Sequence, residues 1–177
     1  MLVGLCGSLR AASTNRKLLQ EAARIYGGPY KEGNLRLPLY DGDLEKAQGL
    51  PAEVEELADL ISQAEAVFLA TPEYNQSLSG VMKNALDWVS RTDGAPWHGK
   101  PVALLSAAAG RSGGARGSYA LRLAITPFRP RLVSAPDVLL AQASSQFDEA
   151  GHLTDDRAQQ TLREVVEALK AEVAREP

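Results

Sequence analysis

Short apolar runs alternate along this chain with longer amphipathic stretches, the pattern of a parallel sheet with crossover helices. Leu2 to Cys6 is a compact apolar run that ends at Gly7 and reads as the first strand. From Thr14 to Tyr26, Leu18, Ala22 and Ile25 follow helical spacing, and Gly27-Gly28-Pro29 stops the helix. Leu35 to Leu37 gives a weak second strand, followed by a polar loop. Pro51 opens a helix at its first position, with Glu53, Glu55 and Glu56 near the positive end and Val54, Leu57 and Ile61 as its buried stripe. Ala66 to Ala70 is continuous enough to be a third strand buried on both faces. A loop from Thr71 to Ser79 leads to a helix over Gly80 to Arg91, and Pro101 to Leu105 is the fourth strand. Ser106 to Gly114 is a Gly-rich loop before a helix that runs to about Ile125. A fifth strand lies between Leu132 and Leu140, its limits blurred by Pro130 and Pro136. Leu162, Val165, Val166, Leu169 and Val173 then mark a closing helix.

Five strands interleaved with helices predict one doubly wound α/β domain over residues 1–177, with no repeat and no linker. In such a sheet, ligands sit beyond the carboxyl ends of the strands. The loops leaving those ends are Gly7 to Ser13, Thr71 to Ser79 and Ser106 to Gly114, and all three are unusually polar or Gly-rich.

Composition changes this picture little. The net charge of -3 does not indicate a nucleic-acid or membrane partner, and no run approaches a membrane span. The start, Met1-Leu2-Val3-Gly4-Leu5, lacks the basic segment and the length of a signal peptide. A single cysteine, Cys6, rules out an internal disulfide framework and fits a reducing cytoplasm. With His98 and His152 as the two histidines, a Cys/His zinc site is not expected.

The first loop has the chemistry of an anion site. Free amides and the dipole of the following helix favour a phosphate. Ser8, Ser13 and Thr14 add hydroxyls, Asn15 an amide and Arg10 a permanent charge. A capped helix beside a solvated arginine accounts for the same residues without a ligand, since Ser13 or Thr14 can serve as the N-cap. Gly4 and Gly7 do not make the G-x-G-x-x-G fingerprint, and no Walker A ending is present. A cysteine-dependent phosphatase needs an arginine six positions after its nucleophile, where this chain has Ala12. Cys6 therefore reads as a small buried residue.

The second loop, Thr71-Pro72-Glu73-Tyr74-Asn75, puts an aromatic ring and an amide at the mouth of the third strand. Lys83, Asn84, Asp87 and Trp88 follow on the next helix, and Gly113-Gly114 precede a later one. Together with Gly7, Ser8, Arg10, Ser13 and Asn15, these motifs resemble, in order and spacing, the NAD(P)H-dependent FMN reductase family of flavodoxin-like proteins. That family includes quinone, azo-dye and chromate reductases. Ser79 stands where the family often has proline, and the chain beyond about Arg131 carries no diagnostic motif.

The resemblance implies a flavodoxin-like three-layer sandwich, a five-stranded parallel sheet with helices on both faces. It implies FMN as cofactor and NAD(P)H as co-substrate in an oxidoreductase that hands electrons to a small acceptor such as a quinone, azo compound, metal ion or flavin. Ser8, Arg10, Ser13, Thr14 and Asn15 would bind the FMN phosphate. Pro72, Glu73, Tyr74 and Asn75 would line the isoalloxazine, largely through backbone groups, and the Ser106 to Gly113 loop would border its pyrimidine edge. Lys83, Asn84, Asp87 and Trp88 are expected to hold the second loop or pack against a neighbour. Flavin chemistry needs no protein nucleophile, and no catalytic acid or base side chain is expected. A flavodoxin-like electron carrier and a flavin-binding regulator without turnover are the competing readings.

Charge is unevenly spread. Gly94 to Pro136 contains Lys100, Arg111, Arg116, Arg122, Arg129 and Arg131 but no acidic residue, whereas Asp41 to Glu65 is strongly acidic. Two solvated faces would suffice to explain this. Family members are commonly dimers or tetramers, so a homodimer or homotetramer is expected, with Arg116 and Tyr119 as candidate contacts.

Overall fold

The computed structural model describes residues 1–175. Strands β1 (Leu2–Cys6), β2 (Tyr30–Gly33), β3 (Ala66–Ala70) and β4 (Pro101–Ala107) form a parallel sheet in the order β2-β1-β3-β4. Two short strands, β5 (Arg131–Leu132) and β6 (Val138–Leu140), share the outer edge of β4. The spatial order with β1 between β2 and β3 is that of the flavodoxin-like doubly wound sheet.

The period-2 alternation of each central strand explains the layers. Leu2 and Cys6 of β1, with Phe68 of β3 and Leu105 of β4, face α1 (Thr14–Tyr26) and α6 (Asp156–Ala174). Val3 and Leu5, with Val67, Leu69, Val102 and Leu104, face α3 (Ala52–Gln63), α4 (Gly80–Val89) and α5 (Ala115–Ile125). Both faces are covered, which is why these strands read as continuous apolar runs.

The second strand is Tyr30–Gly33, earlier than the predicted Leu35 to Leu37. An edge strand needs no continuous apolar run, and Tyr30, Lys31 and Glu32 are partly or fully solvated. Leu35 is buried and Leu37 partly so, but as irregular chain packed on the α3/α4 layer. Gly33 packs closely under the α3 side of the sheet: a Cβ there would lie 2.8 Å from Leu57 Cδ1 and make the leucine ends shift. Between β2 and α3 the expected loop contains a further helix, α2 (Gly42–Gln48), which buries no residue and so leaves no apolar stripe to read. Asp41 caps it by accepting from the amides of Asp43 and Leu44. Pro51 is the N-cap of α3 rather than its first helical residue, with extended backbone at ψ 141°.

The predicted fifth strand is two pieces. Pro101 pairs with Arg131 but Leu105 with Val138, so three extra residues loop out between them. Pro136, which lacks an amide proton, lies in that excursion. Strand β4 also runs two residues further than predicted, to Ala107.

Candidate functional site

The loops after β1, β3 and β4 enclose a cleft of about 390 Å³, within the range of small-molecule sites. Ser8, Arg10, Ser13, Thr14, Asn15 and Lys17 line it from the first loop and α1, Pro72, Glu73 and Tyr74 from the second, and Ala107 to Ala109 from the third. Asn75, Ser106 and Gly113 do not line it. A hollow of about 370 Å³ between β6 and the start of α6 is reached by neither the first nor the second loop.

Ser13 is the N-cap of α1 and its Oγ accepts from the amide of Arg16 at 3.3 Å. The first-turn amides of Thr14 and Asn15 have no intrahelical acceptor, as at any helix start, and both residues line the cleft. The Asn15 side chain is not a free donor. Its Nδ2 donates to Ala107 O at 2.8 Å, and its Oδ1 accepts from Ala107 N at 3.0 Å, which ties α1 to the end of β4. The Arg10 side chain, in contrast, is exposed and makes no hydrogen bond among the described residues. Cys6 lies under the loop, buried, with its Sγ 3.5 Å from Ser8 O and 3.6 Å from Ser13 Oγ. Burial pushes its thiol up, against the smaller opposing effect of those hydrogen bonds. It is therefore a poor nucleophile.

Arg16 was not singled out in the sequence. Its Nε donates to Glu32 Oε1 at 2.7 Å, its Nη1 to Arg10 O at 2.7 Å and its Nη2 to Ser8 O at 3.4 Å. A charged residue in the first turn of a helix is unremarkable by pattern alone, and its partner lies on the strand that the pattern misplaced.

The second loop is a two-residue hairpin turn. Tyr74 and Ser77 exchange backbone hydrogen bonds of 3.0 and 3.1 Å, and Asn75 and Gln76 sit between them at φ of 50° and 65°. Two left-handed residues make a type I′ turn, in which asparagine is favoured. Asn75 is thus explained by the turn, and Tyr74 is left 48% exposed at the cleft wall. Glu73 turns its carboxylate out of the cleft. It accepts from the Arg116 amide at 3.0 Å and pairs with the Arg116 guanidinium at 3.5 Å. Helix α5 has Gly114 as its N-cap, which offers no side-chain cap, so a carboxylate from another loop takes that role.

Ser106 is fully buried and donates to Thr71 O at 2.7 Å, joining the second and third loops from below. Gly113, at φ 61°, borders β6, and a Cβ there would run into the Leu139 carbonyl. Of Lys83, Asn84, Asp87 and Trp88, only Asn84 and Trp88 hold a loop, and it is the segment at Pro38 and Tyr40 and not the second loop. Asn84 Nδ2 and Trp88 Nε1 both donate to Pro38 O, at 2.9 and 2.7 Å, and Asn84 Oδ1 accepts from Tyr40 N at 2.9 Å. Lys83 and Asp87 pair with each other along the helix.

The chain beyond Arg131 contributes to the cleft despite carrying no motif. Ala108 N donates to Leu140 O and Ala143 N to Ala108 O, which brings Ala143, Ser144 and Phe147 to the wall. Lys17 Nζ lies 5.7 Å from the centre of the Phe147 ring.

The strand order and a polar cleft beyond the strand ends are those of a flavodoxin-like protein. The NADPH-dependent FMN reductase family model matches residues 1–145, and the chain belongs to that family. It is 40% identical over 177 residues to an NAD(P)H-dependent FMN reductase of Pseudomonas aeruginosa, covering 98% of this chain and 95% of the relative. It is 36% identical over 159 residues to a quinone reductase of Escherichia coli, covering 87% and 85% of the two chains. Among solved structures it is similar to FerB, a flavoenzyme NAD(P)H:(acceptor) oxidoreductase of Paracoccus denitrificans. That match has a TM-score of 0.86 and 30% identity, over 97% of this chain and 96% of the other. The protein is an oxidoreductase, and FMN and NAD(P)H come with its family.

Proposed function

We propose that the chain is an FMN-dependent NAD(P)H oxidoreductase whose acceptor is a small molecule, with quinones the first class to try. The observation that carries this reading is the meeting, in one cleft, of the α1 start and the Tyr74-bearing turn. The donor set fits the cofactor. Amides, hydroxyls, Arg10 and Lys17 favour a phosphate, and the carboxylate of Glu73 is turned away to Arg116. Gly7 lets the first and second loops approach each other, since a Cβ there would stand 2.7 Å from Ser79 Oγ.

FMN held there would supply the redox chemistry, the exchange of electrons between NAD(P)H and the acceptor. The chain itself binds, orients and polarises. Ser8, Arg10, Ser13 and the Thr14 and Asn15 amides hold the phosphate end. Pro72 to Tyr74 set the position of the flavin ring, with the half-exposed Tyr74 offering its face to a planar partner. The Ala107 to Ala109 segment would border the pyrimidine edge; the amides of Ala107 and Ala108 are bonded to Asn15 and Leu140, which leaves that of Ala109 as the donor to favour the charge of the reduced flavin.

The active form is a homodimer or homotetramer. Tyr119 and Leu123, one turn apart on α5, are both exposed, Leu123 at 76%. An apolar pair of that size on a helix face is suited to cover by a second copy. The lone Cys6, buried and unpaired, suits a reducing cytoplasm.

The test is a visible spectrum of the purified protein with FMN, before and after anaerobic NADPH or NADH, followed by a quinone. Bleaching by the nicotinamide and recovery with the quinone are expected. Bound flavin that neither nicotinamide bleaches would refute the reductase reading in favour of an electron carrier.

A further inference from the structure

We infer that Arg16, braced by Glu32 and assisted by Arg36, is a positioning residue that keeps the first loop in its anion-receiving form. The inference rests on the proposed placement of the FMN phosphate in that loop.

Three successive carbonyls of the loop are engaged by guanidinium groups. Arg16 Nη2 donates to Ser8 O at 3.4 Å, Arg36 Nη2 to Leu9 O at 3.0 Å and Arg16 Nη1 to Arg10 O at 2.7 Å. The Arg16 Nε bond to Glu32 Oε1 fixes the guanidinium plane, and Glu32 lies on β2, the flank of β1 away from β3. The described chain has no cis peptide bond, and in a planar trans peptide the carbonyl and the next amide point in opposite directions. Carbonyls drawn to the β2 side therefore turn the amides that follow them, of Leu9, Arg10 and Ala11, the other way, and of these residues Arg10 lines the cleft. Successive amides aimed at one place form a concavity for an anion. Released from the arginines, the same oxygens could rotate inwards and present lone pairs to the phosphate.

Arg16 acts here through the backbone and not as a phosphate ligand: it does not line the cleft, and three of its five N–H donors already go to protein oxygen. The Arg16 and Glu32 side chains are each only 26% exposed, so the pair holds one geometry better than a surface pair would.

The experiment compares dissociation constants for FMN and for riboflavin, which lacks the phosphate, in wild type, Arg16→Ala, Glu32→Gln and Arg36→Ala. Wild type should prefer FMN; equal binding of the two would refute the phosphate placement itself. Given that preference, Arg16→Ala should weaken FMN by about tenfold or more while riboflavin stays within about twofold. Glu32→Gln should weaken FMN severalfold although it lies outside the cleft. An Arg16→Ala protein that keeps the preference overturns the inference. So does a Glu32→Gln protein that binds FMN as tightly as wild type or tighter, since freeing the guanidinium would then improve a direct contact. Should Arg16→Ala fail to fold, Glu32→Gln and the exposed Arg36→Ala decide by the same comparison, each expected to weaken FMN selectively.

Discussion

Asn15 and Ala107 bind each other reciprocally, the side-chain amide of one donating to and accepting from the backbone of the other. The pair is buried, with Asn15 only 2% exposed, and joins the first residues of α1 to the last residue of β4. Asn15→Ala leaves an amide and a carbonyl of Ala107 without partners. At about 1–3 kcal/mol for each buried group left unsatisfied, a loss of about 2–6 kcal/mol is expected. Urea unfolding measures it. A loss below about 0.5 kcal/mol would show that the two groups find other partners.

Glu73 and Gly117 hold the second loop on α5 by two different means. Glu73 caps the helix, and Gly117 lets it approach, since a Cβ there would lie 3.0 Å from both Glu73 Cα and Pro72 O. Glu73→Ala should cost about 1 kcal/mol as a lost cap, and Glu73→Gln less because its amide oxygen can still accept. Gly117→Ala should cost about 1–3 kcal/mol, since backbone and not a flexible side chain must give way. Both Ala variants should also weaken flavin binding, because the displaced segment carries Tyr74. Thermal melts and FMN titration check both effects. A Gly117→Ala protein with wild-type stability and affinity would contradict the close approach.

Much of this arrangement was readable from residue patterns, and the exceptions share a cause. The buried strands β1, β3 and β4 announce themselves because both faces are covered, so every position is apolar. Edge elements do not: β2 is half solvated, α2 buries nothing, and β5 and β6 are interrupted around Pro136. The site was legible where local motif and local role coincide, as with Ser13, which caps the helix it precedes. It was illegible where the partner is remote. Arg16 needs Glu32, Glu73 needs Arg116, and Phe147 reaches the cleft only through the bonds between Ala108 and the Leu140 to Ala143 segment. Ser106 and Gly113 carry the spacing of the third loop but serve its packing, one bonded to Thr71 O and the other against Leu139.

Cys6 should make stability depend on alkaline pH. Burial raises its thiol above the ordinary value of 9.0, so the folded state holds a proton that the unfolded chain releases. Its contribution is fully present below the unfolded value and is lost as pH rises from there through the raised folded value. Tyr26, pushed up to about 12 mainly by burial, adds a similar loss at higher pH. Urea unfolding of wild type and Cys6→Ala at neutral pH and above pH 9 separates the two. The stability of wild type relative to the variant should fall with pH. A constant difference would mean that the thiol titrates normally. The same burial predicts that a thiol reagent leaves the native protein unmodified while the unfolded chain reacts.

Leu123 offers a test of assembly that leaves the cleft untouched. It is exposed in the single chain, so in a monomer Leu123→Asp should change stability by no more than about 0.5 kcal/mol and leave molecular mass unaltered. If a second copy covers α5, the same substitution buries a carboxylate in an apolar contact, beside Tyr119 and against whatever faces it. Light scattering on a size-exclusion column should then show wild type as a dimer or tetramer and the variant shifted towards smaller species. Tyr119 is the weaker probe, because its hydroxyl already donates to Asp137 at 3.2 Å within the chain. A wild-type monomer would remove the homo-oligomer from the proposal. A wild-type oligomer that Leu123→Asp does not disturb would move the contact to another face, such as the exposed Leu39 beside Tyr40.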